Sequence, residues 1–184
     1  MLGLFAKNRN TSKPDPDMVL RLYHTVTTLA REPVFYTRFS VPDTTDGRYD
    51  LLCVMLSLFL FRVQRDEPDS AQALFDLAFK DMERGLREAG VGDLGVPKHM
   101  KRMIQGFYGR AAAYYEAIEQ NETEGLAIIL SRNLYNQDAL FMPAIQMAEW
   151  MMICWQFLIQ IGMDDLKSDP SVVLQLVPPE ENQA

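Results

Sequence analysis

One short segment has the spacing of a nucleotide-binding loop. Gly90, Gly92 and Gly95 match the pattern G-x-G-x-x-G, whose glycines let the backbone approach a pyrophosphate. That chemistry requires a β-strand before the glycines and a parallel sheet around them. Here the residues before Gly90 have helical spacing, and Pro97 follows the loop. The sequence therefore predicts a helix end and a tight turn rather than a nucleotide site.

The residue types that most often catalyse reactions or bind metals do not form groups. His24 and His99 are the two histidines, and neither has a second histidine or a carboxylate four residues away. Cys53 and Cys154 lack the C-x-x-C spacing of zinc and redox sites. No nucleophile elbow, P-loop or metalloprotease motif occurs. The sequence predicts no enzyme, no bound metal and no cofactor.

The segment 98–110 is rich in cations and contains no acid. Its four cations are Lys98, Lys101, Arg102 and Arg110, whereas the whole chain has a net charge of −7. A solvated helix face explains such a run more often than a binding patch does. A solvated helix face is therefore the interpretation we favour for this segment, and a binding patch is the alternative.

Two glycines interrupt the same segment. Gly106 and Gly109 lie inside a predicted helix, where each costs about 1 kcal/mol relative to alanine. Close approach of a second helix is the interpretation we favour, and approach of a partner's backbone is the alternative. Tyr108 and Arg110 flank Gly109. The tyrosine could stack and donate a hydrogen bond, and the arginine could pair with an anion or with carbonyl oxygens.

The elements that carry these residues are all predicted to be helices, because apolar residues recur with a 3.6-residue period and no alternating strand pattern occurs. We predict an all-α fold, a single-domain bundle of about six to seven helices with one long apolar C-terminal helix. Its helical domain spans residues 15–166, between a polar tail at 1–14 and a C-terminal tail at 167–184. The predicted helices are 16–31, 48–66, 69–89, 97–118, 122–135 and 137–161, and a short aromatic-rich turn or helix begins at Pro33.

Composition limits the possible classes of protein. The chain has 184 residues, 48% of them hydrophobic, which is enough for a core without disulfides or metals. The sequence pI of about 4.8 argues against nucleic acid as a partner, so we expect no DNA binding. The apolar runs 51–61 and 150–163 fall short of the roughly 20 residues that span a bilayer. No signal-peptide pattern begins the sequence, so we expect reduced cysteines and a soluble protein that is at most peripheral to a membrane.

Several short motifs follow one another between Asp46 and Tyr115. They are Asp46-Gly47-Arg48-Tyr49-Asp50-Leu51-Leu52, Leu74-Phe75-Asp76, Asp81-Met82, Leu86-Arg87-Glu88, Gly90-Val91-Gly92-Asp93-Leu94, Val96-Pro97-Lys98 and Phe107-Tyr108-Gly109-Arg110 with Ala113-Tyr114. In this order and spacing the motifs resemble the ubiquinol–cytochrome c chaperone family. The resemblance covers roughly residues 30–149.

The resemblance implies an assembly factor that handles newly made cytochrome b for the ubiquinol–cytochrome c reductase complex. Its client would then be cytochrome b, with a membrane surface as a possible further partner, and we expect the protein to be a monomer. Mitochondrial members of the family have an N-terminal extension and work with a small partner protein near the ribosomal exit tunnel. This sequence lacks that extension, so we expect the bacterial cytoplasm beside the inner membrane rather than the mitochondrial matrix, and ribosome contact stays open.

Two sets of residues are candidates for client binding. The first set is Lys98, Lys101, Arg102, Gly106, Phe107, Tyr108, Gly109, Arg110 and Tyr114. The second is a possible apolar client face in the methionine-rich last helix, formed by Met147, Met151, Met152 and Trp155, although burial in the core is the interpretation we favour there. The alternative function is a helical ligand-binding module, for haem or a lipid headgroup, that uses the same apolar faces.

Overall fold

A computed structural model describes residues 13–178, and the described chain is entirely helical. This confirms the all-α prediction: within that range there are eight α-helices, one 3-10 helix and no strand. The elements are α1 (Pro16–Leu29), α2 (Pro33–Thr37), α3 (Thr45–Asp66), α4 (Pro68–Glu88), α5 (Val96–Glu119), α6 (Thr123–Asn133), α7 (Met142–Gln160), α8 (Met163–Ser168) and the 3-10 helix (Pro170–Leu176). Of the predicted N-terminal tail, residues 1–12 lie outside the described residues.

Local capping explains where the first and third helices begin. The carboxylate of Asp15 accepts a hydrogen bond from the backbone N–H of Asp17 at 3.0 Å, and Pro16 opens α1. The hydroxyl of Thr44 accepts from the N–H of Gly47 at 3.1 Å, so α3 begins three residues earlier than predicted. Gly47 must be glycine, because a Cβ there would lie 2.1 Å from the carbonyl oxygen of Pro42.

The glycine-rich segment forms the turn that its sequence context predicts. Gly90 has a φ of +87°, a left-handed conformation that ends a helix, and it directly follows the last residues of α4. The N–H of Val91 donates to the carbonyl oxygen of Leu86 at 3.0 Å and closes this turn. A helix rather than a strand therefore precedes the glycines.

The core is organised around α3. Its residues 53–63 are all buried, so α3 has no solvent-facing side over three turns. It packs against α1, α4, α5 and α7, while α6 packs along α7 and against α5. These six helices therefore contribute to one continuous hydrophobic core, and α5 lies at its surface with one face inward and the other outward.

The C-terminal region differs from the prediction. The last long helix begins at Met142 rather than at residue 137, and α8 and the 3-10 helix follow it, so one long apolar C-terminal helix is not supported. The domain boundary that we placed at residue 166 falls inside α8. Beyond it, Val173 is buried, and the indole Nε1 of Trp150 donates to the carbonyl oxygen of Leu176 at 2.9 Å. Among the described helices, none has the length and apolar character needed to cross a bilayer.

Candidate functional site

The outer face of α5 presents a straight row of exposed residues. They follow one another at intervals of four or three residues, which places them on one side of an α-helix. We name this row the α5 strip, and its members are Lys98, Arg102, Gln105, Gly109, Ala112 and Glu116. The strip is cationic at its N-terminal end, small and uncharged in its middle, and acidic at its C-terminal end.

The middle of the α5 strip is open on its outer side. A Cβ built on Gly109 would have no neighbouring atom within 4 Å. A Cβ on Gly106 would meet only the end of the Arg110 side chain, at 3.4 Å. No second helix of the described chain approaches either glycine, so the helix–helix contact that we favoured from the sequence is wrong. Approach by a partner is the alternative that remains.

Three of the predicted cations are exposed beside this open surface. Lys98, Lys101 and Arg102 form what we name the basic cluster, and all three side chains face solvent. A guanidinium nitrogen of Arg102 lies 3.5 Å from Nδ1 of His99, one helical turn away. Among the described residues, no acid forms an ion pair with the basic cluster. These three charges are therefore available to an anionic partner.

Arg110 is engaged inside the protein, which corrects its predicted role in binding an anion. Its guanidinium pairs with the carboxylate of Asp50, and it also lies over the ring of Tyr49, 5.5 Å from the centroid. The exposed fractions of the two paired side chains are 23% and 22%. Burial raises the pKa of Asp50, although the ion pair with Arg110 opposes that shift. The pair joins the second turn of α3 to the middle of α5.

Two aromatic residues of the first candidate set belong to the core. Phe107 and Tyr114 are almost fully buried, so neither can contact a client in this conformation. The ring of Tyr108 is half-buried and stacks on Phe75 of α4, with centroids 5.4 Å apart. The signal was present in the sequence: Phe107 and Tyr114 are seven residues apart within the apolar stripe that predicts the buried face of α5.

The residues of the second candidate set, in the methionine-rich helix α7, also belong to the core. Met147, Met151, Met152 and Trp155 are buried, with exposed fractions of 7% or less. The structure thus places them in the core, as the sequence interpretation favoured, and not on an apolar client face. Ile153 is exposed on the outer side of α7, alone among glutamine and glutamate neighbours on that face.

A groove that sequence reasoning missed lies between α1, α2, α3, α4 and α5. It is an open depression of about 430 Å³, and the side chains that line it are mostly apolar or aromatic. Its tyrosine hydroxyls all donate within the protein: Tyr23 to Asp81 at 2.8 Å, Tyr36 to the Ala30 carbonyl at 2.6 Å, and Tyr49 to the Met103 carbonyl at 3.2 Å. No local pattern could reveal it, because five separate elements supply its walls.

The residues that could ligate a metal or haem are dispersed. Within residues 13–178, no three His, Cys, Asp or Glu side chains lie together in a way that could hold a metal ion. His24 and His99 are exposed on α1 and α5, and both cysteines are buried as free thiols. Burial raises the pKa of the Cys53 thiol to about 12, so this cysteine is unreactive near neutral pH.

Comparison with known proteins agrees with the motifs and the fold. Residues 37–171 match the family model described as ubiquinol–cytochrome C chaperone. A solved structure described as the crystal structure of the Cbp3 homolog from Brucella abortus is 38% identical in sequence, with a TM-score of 0.74. The similarity covers 83% of this chain and 86% of that one. No curated protein shows significant similarity to the chain. The chain belongs to the ubiquinol–cytochrome c chaperone family.

Proposed function

We propose that this protein is an assembly chaperone that binds newly made cytochrome b while the ubiquinol–cytochrome c reductase complex is built. Membership of the chaperone family supports a client-binding rather than a catalytic role. The observation that supports a particular surface is the α5 strip, whose small central residues face solvent beside three cations without acidic partners. We further propose that the protein acts as a monomer in the bacterial cytoplasm, at the inner membrane.

The open glycines favour contact with a helix of the client. Gly109 costs about 1 kcal/mol of helix stability, and no internal contact offsets that cost. Small residues at such positions let the backbones of two helices approach closely, and helices of membrane proteins use this geometry to associate. Ala112 and Ala113 extend the flat surface by one turn. A newly made membrane protein such as cytochrome b would offer apolar helices of this kind.

The basic cluster favours a client with acidic or carbonyl-rich loops. Lys98 and Arg102 lie at the N-terminal end of the α5 strip, so an apolar helix on the strip would bring its own end close to them. Lysine and arginine donate strong hydrogen bonds to carboxylates and carbonyl oxygens. The strip would therefore set both the position and the direction of a bound helix, through small residues in the middle and charges at the end.

Site-specific crosslinking in cells tests this proposal. A photoreactive amino acid replaces Gln105 or Ala112, both exposed on the α5 strip, and the captured protein is identified by mass spectrometry. The control position is Gln156, which is exposed on α7. We expect cytochrome b to be captured from both strip positions and not from the control. Capture of other proteins alone, or equal capture from Gln156, would contradict the proposal.

A matched pair of glycine variants tests the mechanism of contact. Gly109 of α5 and Gly85 of α4 both lie inside helices, and a Cβ at either has no neighbour within 4 Å. Gly109→Leu should block close approach on the α5 strip and reduce crosslinking to cytochrome b, while Gly85→Leu should leave it unchanged. The opposite result would move the client to the groove, because Gly85 lines that groove.

The groove supports ligand binding as a second candidate function. Arg31 is among the lining residues, with Arg48, which already pairs with Asp43 at 2.5 Å, and Leu52, Met82 and Met103 supply apolar surface, a combination that suits an apolar ligand with an anionic group. Haem and lipids both have this character. This candidate is tested by recording the absorbance spectrum of haem with the purified natural protein and with the Met82→Trp variant. The larger tryptophan side chain narrows the groove. A haem spectrum unaffected by either protein would reject haem as the ligand.

A further inference from the structure

We propose that the loop between α4 and α5, residues 89–95, docks the protein onto an anionic membrane surface. In this arrangement the side chain of Leu94 enters the lipid headgroup region, and the basic cluster of Lys98, Lys101 and Arg102 contacts lipid phosphates. This inference goes beyond client binding, because it requires no cytochrome b, although it shares Lys98 and Arg102 with the α5 strip.

Leu94 stands out among the large apolar side chains. It is 100% exposed, whereas the next most exposed in the described chain are Met142 at 66% and Leu20 and Ile153 at 57% each. An apolar side chain held fully in water gains nothing from the hydrophobic effect unless a partner covers it. Isolated exposed leucines are common on proteins, so the exposure alone decides nothing. Two further features favour a membrane contact, which are the hydrogen bonds that hold the loop and the cations beside it.

The loop holds Leu94 outward by contacts on both sides. The N–H of Gly95 donates to the carbonyl oxygen of Gly92 at 2.7 Å, which closes a tight turn around Leu94. Val96, two residues after Leu94, is fully buried and fixes the end of the turn to the protein. On the other side, Val91 is bonded to α4 through the Leu86 carbonyl. The leucine is therefore presented at the tip of an anchored turn.

Cations follow immediately behind this tip. The basic cluster lies four to eight residues after Leu94, within roughly 12 Å along a helix that rises 1.5 Å per residue. Asp93 is the one acid between residues 93 and 102, and its carboxylate lies 3.7 Å from Nε of Arg87. Three cations against one acid give this region a positive charge in a chain whose net charge is −7. The local charge is complementary to anionic lipids and opposite to that of the protein as a whole.

The shape of the tip favours a membrane over a protein as its partner. Residues that dominate protein interfaces lie at the centre of flat patches, surrounded by contacts that exclude water. Leu94 instead lies fully exposed between Asp93 and Gly95, with Gly92 as the other small residue of the turn, so its neighbours along the turn are an acid and glycines. A headgroup layer admits such a single apolar side chain, and lysine and arginine beside it gain from the negative surface potential. One leucine with three cations gives reversible attachment, which suits a factor that must approach an inserting client and leave.

Co-sedimentation of the purified full chain with vesicles, in the absence of any client, tests the inference. We use vesicles of phosphatidylcholine alone and of phosphatidylcholine with phosphatidylglycerol. The protein should bind the anionic vesicles, and binding should weaken as salt increases. Leu94→Asp should lower the bound fraction by roughly tenfold, because the apolar contact is lost and a like charge is added. Leu20→Asp is the matched control, since Leu20 is exposed on α1, and it should bind like the natural protein.

The outcomes separate this inference from the proposed function. Absence of binding to anionic vesicles, or equal binding by Leu94→Asp and Leu20→Asp, would overturn it. Unchanged vesicle binding with reduced crosslinking to cytochrome b in Leu94→Asp would also overturn it, because the loop would then contact the client. Loss of vesicle binding in Leu94→Asp alone supports the inference. If cytochrome b is never captured from Gln105 or Ala112 but vesicles still bind, only the proposed function fails.

Discussion

The guanidinium of Arg62 donates from Nε to the carbonyl oxygen of Leu158 at 2.6 Å, in the interior of the protein. A second nitrogen donates to the carbonyl oxygen of Ile161 at 3.0 Å, and the third pairs with Asp66. These carbonyls belong to the last turn of α7 and to the residue after it. The last carbonyl groups of an α-helix have no backbone N–H partner within the helix. Arg62 of α3 therefore caps the C-terminal end of α7.

Loss of this cap should destabilise the fold. We expect Arg62→Met to lower the free energy of unfolding by about 2–4 kcal/mol, because two carbonyls lose charge-assisted hydrogen bonds inside the protein. Arg62→Lys should recover part of the loss, since an ammonium cannot reproduce the planar fork. Urea denaturation measures both. The control is Arg65→Met on the same helix, whose side chain is 50% exposed, and its effect should stay below about 1 kcal/mol.

The ion pair between Asp50 and Arg110 should couple α3 to α5. Asp50→Asn and Arg110→Met each leave a half-buried group without its partner, and we expect each to cost about 1–3 kcal/mol. The double variant should cost less than the sum of the single variants, by at least about 1 kcal/mol. A double-mutant cycle in urea gives this difference. Strictly additive effects would show that the pair contributes no interaction energy.

Local sequence patterns predicted most helices because the signals that end helices are local. Asp15 with Pro16, and Gly90, lie where the first and fourth helices begin and end, since capping depends on residues within one turn. The start of α7 was missed by five residues, because no capping residue marks it: Phe141 precedes the helix and makes no side-chain cap. The sequence likewise showed Arg62 only as the polar end of an apolar run. Its burial depends on Leu158, which is 96 residues away.

The candidate site was predictable in part for the same reason. Lys98 and Arg102 lie on the polar side of an amphipathic helix, so their exposure could be predicted. The 3.6-residue period of the apolar residues identifies that side from the sequence. Engagement of Arg110 depends on Asp50, and nothing in the spacing of either segment shows that the two meet. Gly109 illustrates the reverse case. A costly glycine suggests a contact, but the sequence cannot distinguish a contact within the chain from one with a partner.

Stability should fall at alkaline pH, because burial raises the pKa of several acidic groups. The Cys53 thiol has a pKa of about 12 in the folded protein against an ordinary 9.0, and burial also raises the pKa of Tyr114 above 10.0. The unfolded chain releases these protons at lower pH than the folded chain does. The stabilisation is therefore complete below about pH 9 and is lost as the pH rises towards the folded-state pKa.

Urea denaturation at about pH 8 and about pH 10.5 measures this loss. We expect the ionisation of Cys53 alone to remove up to about 2 kcal/mol over that interval, at 1.36 kcal/mol per pH unit above its ordinary pKa. Cys53→Ala provides the control, because it removes this thiol while leaving the tyrosines. Its stability should depend less steeply on pH than that of the natural protein, and an identical dependence would contradict the assignment.

Gly109→Ala should stabilise the isolated protein. The substitution adds a methyl group to open space inside a helix, so we expect the free energy of unfolding to rise by up to about 1 kcal/mol. Gly85→Ala in α4 should give a similar gain for the same reason. Gly47→Ala is the opposite case, because its Cβ would collide with Pro42, and it should destabilise. The thermal midpoints of the three variants measure these differences in stability. A loss of stability in Gly109→Ala would show that the space beside Gly109 is not open.

Reversal of the basic cluster should separate binding from folding. Gly95 precedes α5 without a side-chain cap, and the first turn of α5 contains Lys98 but no acid. At the positive end of the helix dipole Lys98 is unfavourable by about 0.3–1 kcal/mol at low salt, and Lys101 and Arg102 in the second turn contribute less, because the effect falls off within one turn. The triple variant Lys98→Glu, Lys101→Glu, Arg102→Glu should therefore keep its fold, with a thermal midpoint that stays level or rises.

The same triple variant should lose its binding activities. Sedimentation with anionic vesicles and crosslinking to cytochrome b should both fall, and the difference from the natural protein should be largest at low salt, where charges are least screened. Circular dichroism before and after the binding assays provides the control for folding. A folded variant with unchanged activity in both assays would show that the basic cluster is only a solvated helix face. Loss of vesicle binding alone would assign the charges to lipid, and loss of crosslinking alone would assign them to the client.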